Sequence, residues 1–189
     1  MSQAGAQPGR GHSAGSAMPA DTTHGADPGF DGAWVDGHPP WASGRFECLL
    51  FDVAGLRLAV PLVALGGVQR FAGDRLTSVF GSPPWFMGLL QHGGRTIRVV
   101  DTAYWIMPEK YPPGFREVVR YTVLLRDCDW GLACSDIADA FALQAGAVHW
   151  RGERSRRPWL AGTVIEKMCA LLDVAALRSL LDATQRKER

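Results

Sequence analysis

The feature that most narrows the fold of this chain is a succession of short alternating apolar runs, each closed by glycine or proline. Phe46-Glu47-Cys48-Leu49-Leu50-Phe51-Asp52-Val53 is rich in strand formers, Ala54-Gly55 is a turn, and Leu56-Arg57-Leu58-Ala59-Val60 alternates again until Pro61. Two such runs joined by a short Gly-containing link predict a hairpin. A third strand is predicted around Val68 to Phe71. Gly81-Ser82-Pro83-Pro84 breaks the chain before Trp85-Phe86-Met87-Gly88-Leu89-Leu90, and a Gly93-Gly94 turn leads into a strand over Arg95 to Val100.

Asp101 predicts the cap of a single helical turn that Pro108 ends. The three-proline segment 108–114 is predicted to link two halves. Beyond it, strands are predicted over Val118–Arg126, Trp130–Asp136, Phe141–Leu143, Trp159–Ile165 and Met168–Leu172. Val174, Leu177, Leu180 and Leu181 then share one helical face, with Asp173 as N-cap. Evenly spaced short strands with one closing helix predict an all-β fold of two small closed barrels, about five strands each.

Residues 1–44 differ: they are rich in Gly, Ala, Pro, Ser and Asp, and bury too little to offset ordering entropy. They are predicted to be a disordered tail, with a folded domain over 45–182 and a short tail over 183–189. Trp34, Val35 and Trp41 leave two readings open, a docking motif that folds on a partner or a segment that packs on its own domain. The N-terminus has no apolar core of a secretory signal. No apolar run reaches the roughly 18 residues that span a bilayer. A cytoplasmic protein without membrane insertion is expected, and Cys48, Cys128, Cys134 and Cys169 are read as reduced thiols.

Several formal motifs fail on context. Gly11-His12-Ser13-Ala14-Gly15 matches a nucleophile elbow, but Gln7-Pro8-Gly9-Arg10 cannot be the strand that such a turn needs. His12, His24 and His38 fit no usual ligand spacing, so no metal is expected. His92 and His149 have no companion acid and nucleophile, so no catalytic residue and no cofactor is assigned and an enzyme is not expected. The net charge of +1 supplies no global field toward nucleic acid. Arg151, Arg154, Arg156 and Arg157 between Trp150 and Trp159 carry the alternative, a small β-barrel that stacks single-stranded nucleic acid on those rings.

The order of the elements resembles the CheW-like adaptor domains of chemotaxis. Phe51-Asp52-Val53-Ala54-Gly55-Leu56-Arg57-Leu58-Ala59-Val60-Pro61 resembles their opening hairpin. Pro84-Trp85-Phe86-Met87-Gly88-Leu89-Leu90, then Ile97-Arg98-Val99-Val100-Asp101, resemble the family's central stretch. Trp130-Gly131-Leu132-Ala133-Cys134-Ser135-Asp136-Ile137 resembles a later strand, and Leu171 to Leu177 its close. The resemblance implies two SH3-like five-stranded barrels without catalysis, bound to methyl-accepting chemoreceptors and to the CheA histidine kinase. This chain has Gln91-His92-Gly93-Gly94 where the family has Asn-Leu-Arg-Gly, and Arg98 where it has Pro. The phrases Val53–Leu56, Pro84–Gly88 and Asp101–Tyr111 are similar to ParP-type scaffolds, which implies a polar location and a ParC-like ATPase as further partner.

Partner anchors are expected among apolar and aromatic residues, which carry most interface energy. Trp85, Phe86 and Met87 follow two prolines and cannot all point inward. Trp105 precedes a proline, with core and interface both open, and Trp130 lies at a turn where exposure is expected. The resemblance places Leu65 and Val68 where the family takes the receptor tip, although their spacing also suits a buried turn.

Overall fold

A computed structural model describes residues 30–71, 75–152 and 157–187. The elbow-like motif, His12, His24, Arg154 and Arg156 lie outside them. Twelve strands are described: β1 Arg45–Val53, β2 Leu56–Pro61, β3 Leu65–Arg70, β4 Leu76–Thr77, β5 Phe86–His92, β6 Arg95–Val100, β7 Tyr121–Leu125, β8 Trp130–Cys134, β9 Asp136–Gln144, β10 His149–Trp150, β11 Leu160–Val164 and β12 Cys169–Leu172. Three α-helical segments accompany them: α1 Thr102–Ile106, α2 Phe115–Val118 and α3 Val174–Lys187.

The strands form two six-stranded sheets, ordered β10-β11-β12-β2-β1-β9 and β3-β7-β8-β6-β5-β4. Each has five longer strands and one of two residues, so the expected pair of five-stranded units holds. The halves do not follow chain order, however. The first sheet joins the opening hairpin to the chain's last four strands, while the second is built wholly from 65–134. The segment 108–114 therefore links two strands of one sheet rather than two halves. Parallel pairing of β12 with β2 and of β6 with β8 makes these distant connections.

The β1–β2 hairpin is a wall between two cores. Phe46 and Cys48 face a smaller cluster with Leu143, Val148, Val164 and Leu171. Phe51 and Val53 face a larger one with Val99, Val123, Leu132 and Leu177. Strict two-residue alternation along β1 puts the first pair on one side and the second pair on the other. In the pairing with β9 a bulge lies opposite Leu50, with the extra residue on β9 between Ile137 and Ala140, so the alternation of β1 is unbroken. The hairpin closes on Ala54 and Gly55, both at positive φ, with Gly55 N donating to Asp52 Oδ1.

Two boundaries differ from expectation. Residues 30–44 lie against the domain, because rings scattered in sequence meet there. Trp34 and Trp41 have centroids 5.6 and 6.2 Å from Trp150, and Trp41 sits 5.1 Å from Phe46. Phe30 is buried, and Arg178 of α3 covers its ring while pairing with Asp31 at 2.7 Å. Of the two readings of Trp34 and Trp41, packing on the chain's own domain is the one observed. At the other end α3 runs to Lys187, beyond the boundary expected at 182. Its buried face is Val174, Leu177 and Leu181, and Asp173 Oδ1 accepts from Ala176 N as the expected cap.

Candidate docking surface

Asp101 fixes the geometry around the expected anchors. Its side chain is 1% exposed and accepts from Tyr104 N at 3.1 Å, Tyr111 Oη at 2.8 Å and Arg116 Nε at 2.9 Å. Its own N–H donates to Trp85 O. One carboxylate thus caps α1, which carries Trp105, and ties the 108–116 segment to the start of β5. Arg116 also donates to Pro84 O. Burial first, then the hydrogen bond to Asp101, raises the Tyr111 phenol above its ordinary pKa.

The fold brings Trp85, Phe86, Trp105 and Trp130 together. Trp85 lies 6.1 Å from Phe86, 5.5 Å from Trp105 and 6.2 Å from Trp130, with two of the three contacts edge-to-face. Only part of this set reaches the surface. Trp85 is 8% exposed, whereas Phe86, Met87 and Trp105 are half-buried. The Trp105 Nε1 is buried without a hydrogen-bond partner among the described residues.

The expected exposure of Trp130 is corrected: it is 1% exposed. Its Nε1 donates to Asp182 Oδ1 at 2.7 Å, and the Arg98 guanidinium stacks on its ring at 4.1 Å. Arg98 also donates to Gln185 of α3. The turn that would have exposed Trp130 is covered by a helix more than 40 residues away in sequence. Arg98, a departure from the family pattern, adds to the Trp130–Asp182 bond a second tie between that helix and the second sheet.

A groove of about 310 Å³ opens beside this cluster, lined by Phe80, Pro83, Trp85, Phe86, Leu89 and Arg98 among others. Its outer wall is Val79-Phe80 in the link between β4 and β5. Gly88 holds that link close: its φ is 140°, and a Cβ there would meet Thr77 O at 2.7 Å. Val79 and Phe80 carry no periodic signal and follow no resembled motif, so sequence reasoning missed them.

Leu65 and Val68 lie apart, on β3 at one edge of the second sheet. Val68 is 39% exposed and Leu65 half-buried, so the pair is not the plain buried turn that its spacing allows. His92 Nδ1 donates to Gln69 Oε1 at 2.9 Å, which brings the far end of β5 to β3. The nucleic-acid alternative loses its stacking platform. Trp159 is buried, and Trp150 is packed among Trp34, Trp41 and Phe46 with its Nε1 bonded to Ala145 O.

Two interleaved β units, tied by one helix and bearing apolar surface at separate places, define a two-barrel docking domain. Residues 47–181 match the CheW-like domain family, and the chain belongs to that family. Membership gives the two sheets as its two SH3-like barrels and places the chain among chemotaxis scaffold proteins. The crystal structure of scaffolding protein TtCheW from Thermoanaerobacter tengcongensis shares the fold. Its TM-score is 0.53 at 11% identity, covering 67% of this chain and 86% of that one. None of the curated proteins compared with the chain matches it.

Proposed function

We propose that this chain is a cytoplasmic adaptor that holds chemoreceptor tips and a CheA-type histidine kinase in fixed register. The observation that carries this reading is the family match over 47–181, almost the whole of the described domain. The mechanism is geometric. An adaptor touching both partners biases the kinase equilibrium only through contacts that differ between receptor states. The exposed Val68 with Leu65 on β3 is the proposed receptor face, and Phe86, Met87 and Trp105, supported from beneath by Trp85 and Trp130, belong to the other partner surface. The ParP-like phrases extend the proposal to a polar position and a ParC-like ATPase.

The test is a pull-down of the full chain with a purified CheA regulatory domain, a receptor cytoplasmic tip and a ParC-like ATPase. Binding to the first two supports the adaptor, and capture of the third supports the polar extension. A folded chain that binds neither kinase nor receptor sinks the reading.

A further inference from the structure

Residues 30–42 are laid on the first barrel rather than woven into it. They add no strand to either sheet and lie outside the 47–181 match to the family. The segment takes its shape from itself. Val35 and His38 exchange both backbone hydrogen bonds, at 2.9 and 3.1 Å. Between them Asp36 and Gly37 take φ 51° and 81°, as a two-residue hairpin turn requires. Gly32 lies so close to Pro40 that a Cβ there would meet its Cγ at 2.7 Å. Pro39 is buried at φ −68° and ψ 152°, the polyproline II conformation that aromatic grooves recognise.

The surface beneath is such a groove. Besides Trp34 and Trp41, the Trp150 ring has His38 at 6.0 Å and Phe46 at 6.4 Å. Arg178 supplies a charged end through Asp31, in an ion pair whose side chains are 24% and 50% exposed. The fit is incomplete. A cleft of about 580 Å³ remains between the segment and α3, lined by Phe30, Gly32, Trp34, Arg151, Ala176 and Ser179 among others. Protein interiors are packed to crystal density, so an element that leaves such a space is seated on the domain and not locked into it.

We infer that this groove is a peptide-docking site on the first barrel, for a partner segment that carries tryptophan and proline behind a carboxylate, and that residues 30–42 fill it as the chain's own competitor. The seated segment fixes the ligand chemistry. Trp34 and Trp41 meet Trp150 and Phe46, Pro39 lies between them, and Asp31 meets Arg178. A tethered competitor acts at millimolar effective concentration. Closed about a hundredfold in favour, it corresponds to a Kd of about 10 μM for the same segment untethered, masked to about 1 mM in the intact chain. A partner displaces it by binding the groove more tightly or by holding the domain at a second point, which makes docking conditional.

The probe is a labelled peptide of residues 30–44, followed by fluorescence anisotropy against the full chain as wild type, Asp31→Asn and Trp34→Ser/Trp41→Ser. A peptide with both tryptophans replaced by serine is the control, and thermal melts check that each variant is folded. Wild type is expected to bind the peptide at about 1 mM and the double variant at about 10 μM. Asp31→Asn, which removes only an exposed ion pair from the competitor, is expected to bind about two- to fivefold more tightly than wild type. The serine peptide is expected not to bind. A cooperatively melting double variant that takes up no peptide overturns the inference. If the double variant has no cooperative melt, Asp31→Asn decides, and an affinity equal to that of wild type overturns it. Equal uptake of the serine peptide overturns the recognition of tryptophan. A wild-type dimer that grows with concentration and is lost in the double variant overturns the separate partner and gives the groove to the same segment of a second copy. None of these outcomes depends on receptor or kinase binding, so the adaptor reading stands or falls apart from them.

Discussion

At the scale of single residues, Asp101 shows how one buried carboxylate arranges a surface. Replacing it with Ala removes the cap of α1 and leaves Tyr111 and Arg116 without their acceptor. Arg116 is half open to water, so the ion pair itself is discounted. The cap and the buried hydrogen bonds remain, and a loss of about 2–3 kcal/mol is expected in urea unfolding of Asp101→Ala. Tyr111 sets a pH limit on the same network. Its folded pKa is raised above the ordinary 10.0, so its contribution is complete below that pH and is lost as pH rises through the folded value. The urea midpoint is expected to fall above pH 10.0 in wild type, and less steeply in Tyr111→Phe. The cysteines give a third expectation. Burial pushes the Cys134 thiol up to about 12 and raises Cys48 further, with Cys169 adding to the second. Thiol labelling at neutral pH should therefore modify half-buried Cys128 first and reach Cys48, Cys134 and Cys169 only on unfolding. The Asp101 cap was legible because a cap needs only its next three residues. Trp130 was not, because its cover is Asp182 and the Arg98 guanidinium, and no local pattern announces a contact across the chain.

At the scale of elements, the same division holds. The hairpin β1–β2, the turn at Gly93-Gly94 and the face of α3 were readable from period and punctuation, since each is decided within a dozen residues. The bulge in β9 was not, because it is defined only by the pairing with β1. The segment 30–44 was the largest miss. Its composition is that of a tail, yet Phe30, Trp34 and Trp41 find Arg178, Trp150 and Phe46 waiting on three other elements. A large half-buried ring lost from such a site costs less than the roughly 3–5 kcal/mol of a fully buried one, and two or three such rings are lost together. A fragment starting at 45 is expected to be destabilised by about 3 kcal/mol or more relative to one starting at 30. At roughly 2–4 °C per kcal/mol for a chain of this size, that is a melting point lower by about 10 °C, read in a thermal scan of the two fragments. Equal melting points would mean that the segment contributes nothing to the domain.

At the scale of the whole molecule, the chain is woven rather than divided. Sequence order invited a split at the prolines of 108–114, because local signals show where strands end and not which strands pair. In space that split runs through both sheets. A chain broken there leaves β1 to β6 on one piece and β7 to β12 on the other. The first sheet is then deprived of β9 to β12 on the first piece, and the second sheet of β3 to β6 on the second. Neither piece can satisfy the parallel pairs β12–β2 and β6–β8, and the piece that holds both Trp130 and α3 lacks Arg98, which stacks on that ring and bonds Gln185. Each piece alone is expected to show no cooperative thermal transition, and an equimolar mixture to regain the near-UV circular dichroism of the intact chain. If either piece melts cooperatively by itself, the interleaving does not govern stability. The weave also bears on the proposed role. The β3 face and the surface around Phe86 belong to one sheet, whose core is continuous with the first sheet through Phe51, Val53 and Leu177. Local opening that would let the two faces drift must break that shared core, so a displacement imposed at one face reaches the other through packed elements with little freedom to absorb it.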